Sequence, residues 1–137
     1  MNPQSSRQSA TYSETTDDIQ ITVTPVFVPE QSNPAAGQFL FAYHVEIRNG
    51  GSERVRLISR HWIITDGNQE VHEVKGEGVV GKQPVLDPGQ AFTYTSACPL
   101  TTPTGNMRGT YLMSTGSGRK FNVRIPLFFL RHMDSLQ

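Results

Sequence analysis

Two groups of residues in this chain have the types and spacing to do chemistry. Both fall within the run RHWIITDGNQEVHEVKGEGVVG, from Arg60 to Gly81. The first is Gly76, Gly78 and Gly81, which spell G-x-G-x-x-G. In a dinucleotide-binding fold this motif opens a helix whose free N–H groups and dipole hold a pyrophosphate. The residues that follow here are KQPVLDPGQ. Pro84 and Pro88 forbid a helix at that point, because proline lacks the N–H donor and clashes with the preceding turn. A Walker A loop is excluded as well, since Lys82 is followed by Gln83 rather than Ser or Thr. What remains is an anion nest built from consecutive backbone N–H groups, with Lys82 and Lys75 adding charge. Its ligand would be a small anion or a nucleotide. The competing reading is that these glycines supply positive φ for turns and bulges between strands.

The second group is His61, His72 and Glu70. Asp66-Gly67 is a strong signal for a two-residue type I′ hairpin. With those two residues as the turn, His61 faces His72 and Arg60 faces Glu73. Directly opposed residues have Cβ atoms about 5 Å apart, close enough for two imidazoles to share an ion. Glu70 shares a face with His72 by the two-residue period of a strand. Two imidazoles and a carboxylate suit a divalent transition metal. The same register puts Trp62, Ile64 and Val71 on the buried face. No other cofactor is called for.

The elements that would position these groups read as β-structure. Phe39, Phe41, Tyr43, Val45 and Ile47 alternate with other residues and stop at Asn49-Gly50-Gly51. Further strands are expected at 19–28, 54–65, 69–75, 90–97, 107–114 and 119–129. In the last, Phe121, Val123, Ile125, Leu127 and Phe129 fall on one face. Asp66-Gly67, Asp87-Pro88-Gly89, Thr104-Gly105 and Gly116-Ser117-Gly118 punctuate them. No segment has a 3.6-residue apolar period. The expected fold is therefore all-β, an antiparallel seven-stranded β-sandwich of immunoglobulin or fibronectin type III kind. Tyr43, Phe41, Trp62 and Phe121 are its expected core aromatics. Residues 1–17 contain no Leu, Ile, Val or Phe and are expected to be a disordered polar tail. The domain is expected at 18–131, and 132–137 form a short C-terminal tail.

Composition narrows the function. The chain has 137 residues, enough for one domain with its own core. Lys plus Arg is 12 and Asp plus Glu is 12, which gives no electrostatic reason to hold a nucleic-acid backbone. The single cysteine, Cys98, allows no internal disulfide and fits a reducing compartment. No apolar run reaches membrane-spanning length, and the N-terminus lacks a signal-peptide pattern, so the expected location is cytoplasmic. There is no nucleophile elbow, zincin helix or Cys pair, and Cys98 has no nearby His in sequence. An enzyme is not expected.

Several blocks carry a family resemblance. They are R-H-W-I-I-T-D-G, V-K-G-E-G-V-V-G-K-Q-P-V-L-D-P-G, F-T-Y-T-S, G-N-M-R-G-T-Y-L-M and F-N-V-R-I-P-L-F-F-L. Together they resemble the ApaG family over roughly residues 18–130. The resemblance implies a fibronectin type III-like sandwich without established chemistry. It also implies a link to cobalt resistance and magnesium efflux. Similar domains in F-box proteins and in a polymerase delta-interacting protein look like protein-interaction modules. The function expected on this basis is a non-enzymatic binding module with a protein partner, a second copy of the chain included. Val79 and Val80, in the long Lys75–Pro88 connection, are the candidate partner surface. The alternative is the anion or nucleotide site at Gly76–Gly81.

Overall fold

The computed structural model describes residues 10–132, which form two antiparallel sheets packed face to face. All seven expected strands are present. In chain order with their additions they are β1 (Tyr12–Thr16), β2 (Ile19–Phe27), β3 (Phe39–Asn49), β4 (Val55–Asp66), β5 (Val71–Glu77), β6 (Val85–Leu86), β7 (Ala91–Leu100), β8 (Thr104–Thr115) and β9 (Lys120–Arg131). One sheet has the order β1-β2-β3-β7. The other has β5-β4-β8-β9, with β6 paired to one end of β4. The extra strands are β1 and β6.

β1 lies inside the stretch expected to be a polar tail. Asp17 and Asp18 both have positive φ (46° and 66°) and make a two-residue turn that pairs Thr16 with Ile19. Tyr12 is the only aromatic in this strand, and its ring packs 6.2 Å from Phe128 and 6.4 Å from Phe129. One aromatic and a run of β-favouring threonines are enough once β2 offers a free edge. The rest of the expected tail, residues 1–9, and residues 133–137 lie outside the described residues.

The two sides of the sandwich differ. On one side β1 and β2 pack on β9. There Arg124 N donates to Thr16 Oγ1 (3.2 Å), and Arg124 Nε lies 3.2 Å from Glu14 Oε2. On the other side β5 and β7 end their sheets without comparable packing between them.

Two bulges decide which side chains face the core. In β4, Ile58 is an extra residue against β8. It shifts the alternation so that Arg60, Trp62, Ile64 and Asp66 turn inward and His61 turns outward. Trp62 is buried against Tyr43 (5.3 Å), Phe128 (5.9 Å) and Tyr111 (6.3 Å). In β9, Pro126 and Leu127 oppose the single residue Arg108 of β8. Proline donates no ladder hydrogen bond, so it sits at such a bulge. The alternation flips there: Val123 and Ile125 are buried before it, Phe128 and Leu130 after it. Leu127 and Phe129, expected on the buried face, are exposed as a result. Phe121 is only partly buried at the rim, while Phe41 and Tyr43 are in the core as expected.

The Gly-rich segment closes a tight hairpin. Val79 N donates to Lys82 O (2.8 Å) and Lys82 N to Val79 O (2.9 Å). Between them Val80 (φ 43°) and Gly81 (φ 78°) are both left-handed, a type I′ turn. Glycine suits this position, but a β-branched side chain is strained there. Val79 is fully buried and belongs to the core. That corrects the expected Val79/Val80 partner surface, of which only Val80 is exposed.

Val80→Asn keeps the turn and removes the β-branched strain, so it should stabilise the domain by about 1 kcal/mol in urea unfolding. Val79→Asp buries a carboxylate without a partner and should cost at least about 3 kcal/mol. Equal stabilities for the two variants would contradict this turn.

Candidate functional site

The β4–β5 hairpin has a longer loop than its sequence signal implies. Asp66 N donates to Glu70 O and Gln69 N to Asp66 O, and Gln69 takes the left-handed conformation (φ 68°). This is a three-residue loop, Gly67-Asn68-Gln69, closed by Asp66 and Glu70. Asp66 Oδ1 holds it by accepting from Asn68 N (2.8 Å) and Glu70 N (3.0 Å). Gly67 N adds a bond to Thr102 Oγ1.

The longer loop shifts the register, so His61 faces Lys75 and His72 faces Ile64. The expected His61–His72–Glu70 site is therefore not assembled. His61 is on the outer face with its Nε2 2.7 Å from Glu73 Oε1. His72 and Glu70 do stay together, and the third member of their group is Asp66. One ligand atom from each lies within 4.8 Å of the others. Asp66 is buried, whereas Glu70 and His72 are exposed. The sequence signal for Asp66 was its place beside the turn glycine, which reads first as capping.

The glycine motif has a different use from the one its spelling suggests. Arg60 and Gly76 are cross-strand partners. A Cβ on Gly76 would sit 2.8 Å from Arg60 Nη1 and 2.9 Å from Cζ, so the missing side chain is the space in which the guanidinium lies. Arg60 Nη1 donates to Glu77 O and Gly78 O, both at 3.0 Å. Gly78 has φ 62°, and a Cβ there would meet Lys82 O at 2.2 Å. Its N–H donates to Ile58 O, the carbonyl at the β4 bulge, and Gln83 Nε2 donates to the same oxygen. The N–H groups of Gly78, Val79 and Lys82 thus donate within the chain. The amides of Gly78 and Val79 are therefore engaged within the chain rather than open to an anion. Lys82 is exposed at the closing pair of the turn.

These elements frame a groove of about 430 Å³ between the free edges of β5 and β7. Trp62 and Tyr43 line its floor together with Cys98 and Met107. Ile64, His72 and Val74 line one wall, and β7 from Ser96 to Leu100 lines the other. Arg60 and Ser96 mark one end, and Asp66 and Thr101 mark the other. Burial pushes the Tyr43 hydroxyl above its ordinary pKa; its hydrogen bond with Ser96 and the charge of Arg60 pull the other way. Burial likewise pushes the Cys98 thiol up to about 11, so it is protonated and unreactive at neutral pH. Deeper in the core, Tyr94 and Tyr111 share a 2.5 Å hydroxyl–hydroxyl bond, and burial raises both. No buried side-chain nitrogen or oxygen among the described residues lacks a hydrogen-bond partner. The groove holds no nucleophile paired with a base. Its chemistry is apolar contact, an open backbone edge, and charge of opposite sign at its two ends.

Known proteins are similar to this chain in sequence and in fold. The family model described as the ApaG domain matches residues 29–115. Protein ApaG of Methylobacterium sp. (strain 4-46) is 55% identical over 119 residues, which cover 87% of this chain and 92% of the relative. Protein ApaG of Bordetella pertussis is 56% identical over 113 residues, covering 82% and 86%. A crystal structure from Bordetella pertussis, described as its ApaA protein, superposes with a TM-score of 0.82 at 55% identity, covering 83% of this chain and 93% of that one. A second X-ray structure, 43% identical, superposes with a TM-score of 0.79 over 83% and 86%. No helix among the described residues is long and apolar enough to cross a membrane.

Raised pKa values fix the sign of the alkaline response. An unfolded chain releases the Cys98 proton near pH 8.5 and the tyrosine protons near pH 10, earlier than the folded chain does. Stability is therefore complete below about pH 8 and should fall as pH rises through about 11. Urea midpoints at pH 7.5, 9 and 10.5 should decline in that order, and Cys98→Ala should flatten the first part of the decline. A midpoint that holds steady to pH 10.5 would contradict this burial.

Proposed function

The chain belongs to the ApaG-domain family, and we propose that it is a non-enzymatic binding module whose groove takes an extended segment of a partner protein. One observation carries this reading: an aromatic-floored groove runs between two sheet edges that no strand among the described residues pairs with. A free edge offers a row of backbone donors and acceptors, and an added strand gains affinity from these while its alternate side chains enter the groove. The charges on β5 (Glu73, Lys75) and Pro99 on β7 are the devices by which soluble domains keep such edges from pairing with themselves. The partner surface is thus moved from the Val79–Val80 turn to the groove beside Val74.

Selection from a displayed peptide library tests this directly. Enriched peptides should shift amide signals of β5 and β7. They should bind Val74→Lys at least about tenfold more weakly, since Val74 is exposed at the groove wall and the variant can fold. Shifts confined to the Val80 turn, or no enrichment, would refute it.

A second reading concerns metal. Two carboxylates and an imidazole within 4.8 Å are a donor set for a divalent transition ion, and this would give the family-level cobalt and magnesium link a place on the molecule. Co²⁺ titration should then be abolished by His72→Ala and unchanged by His61→Ala. Equal binding by parent and His72→Ala would remove this site.

A further inference from the structure

Arg60 is a charged feature of the groove that ion pairing does not account for. It is half-buried, yet no carboxylate among the described residues pairs with it; the other described arginines without one, Arg56, Arg108 and Arg131, are exposed. Two backbone carbonyls hold Nη1. Nε and Nη2 have no acceptor among the described residues. Guanidinium groups taken partly out of water are ordinarily matched to a carboxylate or phosphate, whose two oxygens fit the planar fork. Here the fork is fixed in place by Gly76 and by the Gly78 turn, and Arg60 lines the end of a groove.

We infer that Arg60 binds the free C-terminal carboxylate of an extended peptide lying in the groove. This rests on the groove being a peptide site, as proposed above. Three observations select a terminal carboxylate and set the direction of the chain. First, the lining stops at Arg60 and Ser96: Tyr94, two residues further along β7, is buried and does not contribute to it. A chain that ends at Arg60 fits this better than one that runs through. Second, the opposite end carries the carboxylates of Asp66 and Glu70 beside His72, and these two carboxylates repel a carboxylate and favour a basic residue. Third, β7 runs from Ser96 at the Arg60 end to Leu100 at the Asp66 end. A peptide whose C-terminus is at Arg60 therefore lies antiparallel to β7, the more stable ladder. Arg60 to Asp66 spans about 20 Å along β4, the length of roughly six extended residues.

The probe is the acetylated hexapeptide Lys-Thr-Val-Thr-Val-Leu with a free carboxylate, titrated into ¹⁵N-labelled full-length protein. Two C-terminal amides serve as controls: the same sequence, and one with Asp replacing the fifth residue. The free acid should shift β5 and β7 amides saturably, and amidation should weaken it at least about tenfold. Arg60→Gln should remove the difference between acid and amide. Arg60→Lys should keep part of it, because the charge survives without the fork. Gly76→Ala, which puts a methyl where the guanidinium lies, should narrow the difference between acid and amide. That readout does not depend on whether Arg60→Gln folds. Equal affinity of acid and amide for the parent would overturn the carboxylate assignment while leaving the groove a peptide site. An internal-Asp amide that binds as tightly as the free acid would overturn the terminal choice. No shift from any of the three peptides up to millimolar concentration would overturn both the assignment and the groove reading.

Discussion

The placement of the Arg60 guanidinium over Gly76 is the constraint on which the open side of the domain depends. An arginine that faces the gap between two sheets needs room and acceptors. Gly76 gives the room, and the carbonyls of Glu77 and Gly78 give the acceptors. Gly78 can present its carbonyl there because its positive φ bends the chain, and its N–H returns to Ile58 at the β4 bulge. Side chain, hairpin and bulge therefore hold one another. Without the bulge, the β4 alternation would turn His61 inward and Arg60 and Trp62 out.

The sandwich is sealed on one side and open on the other for an equally simple reason. β1 covers the edge of β2 and reaches β9, so Tyr12, Glu14 and Thr16 close that side. Nothing among the described residues does the same for β5 and β7. The groove left there is floored by Trp62 and Tyr43, rings that must be buried for the core to exist. Stability and the proposed binding surface thus share the same aromatic residues, and the charges sit only at the groove ends. Burial raises the pKa of the thiol and of the phenols around it.

Much of the fold was legible from alternation and turn residues, because period-two patterning and Gly, Asp and Pro punctuation act locally. What escaped was non-local. β1 has a single aromatic and becomes a strand only because β2 leaves an edge open. The β9 face was misassigned beyond Pro126, at Leu127 and Phe129, because a bulge changes parity without a periodic signature. The metal grouping failed by loop length: Asp-Gly suggested a two-residue turn, and Asp66 instead closed a three-residue loop with its own side chain. That left His61 on the outer face and turned His72 to the groove side, beside Asp66. The exclusion of a dinucleotide fold by Pro84 and Pro88 agreed with the structure, since β6 and its turns follow the glycines. The tie between Gly76 and Arg60 was invisible in sequence, since it depends on a register the sequence misled.

Amide hydrogen exchange at the glycine motif separates a clamp from an anion nest without any ligand. Gly78 N–H is bonded to Ile58 O and Val79 N–H to Lys82 O. In the free protein both should exchange at least about a hundredfold more slowly than in an unfolded chain. Gly76→Ala should accelerate Gly78, because displacing Arg60 loosens the carbonyls it holds. Exchange of Gly78 and Val79 within about tenfold of the unfolded rate would contradict the clamp, since it would show these donors open to solvent and free for an anion.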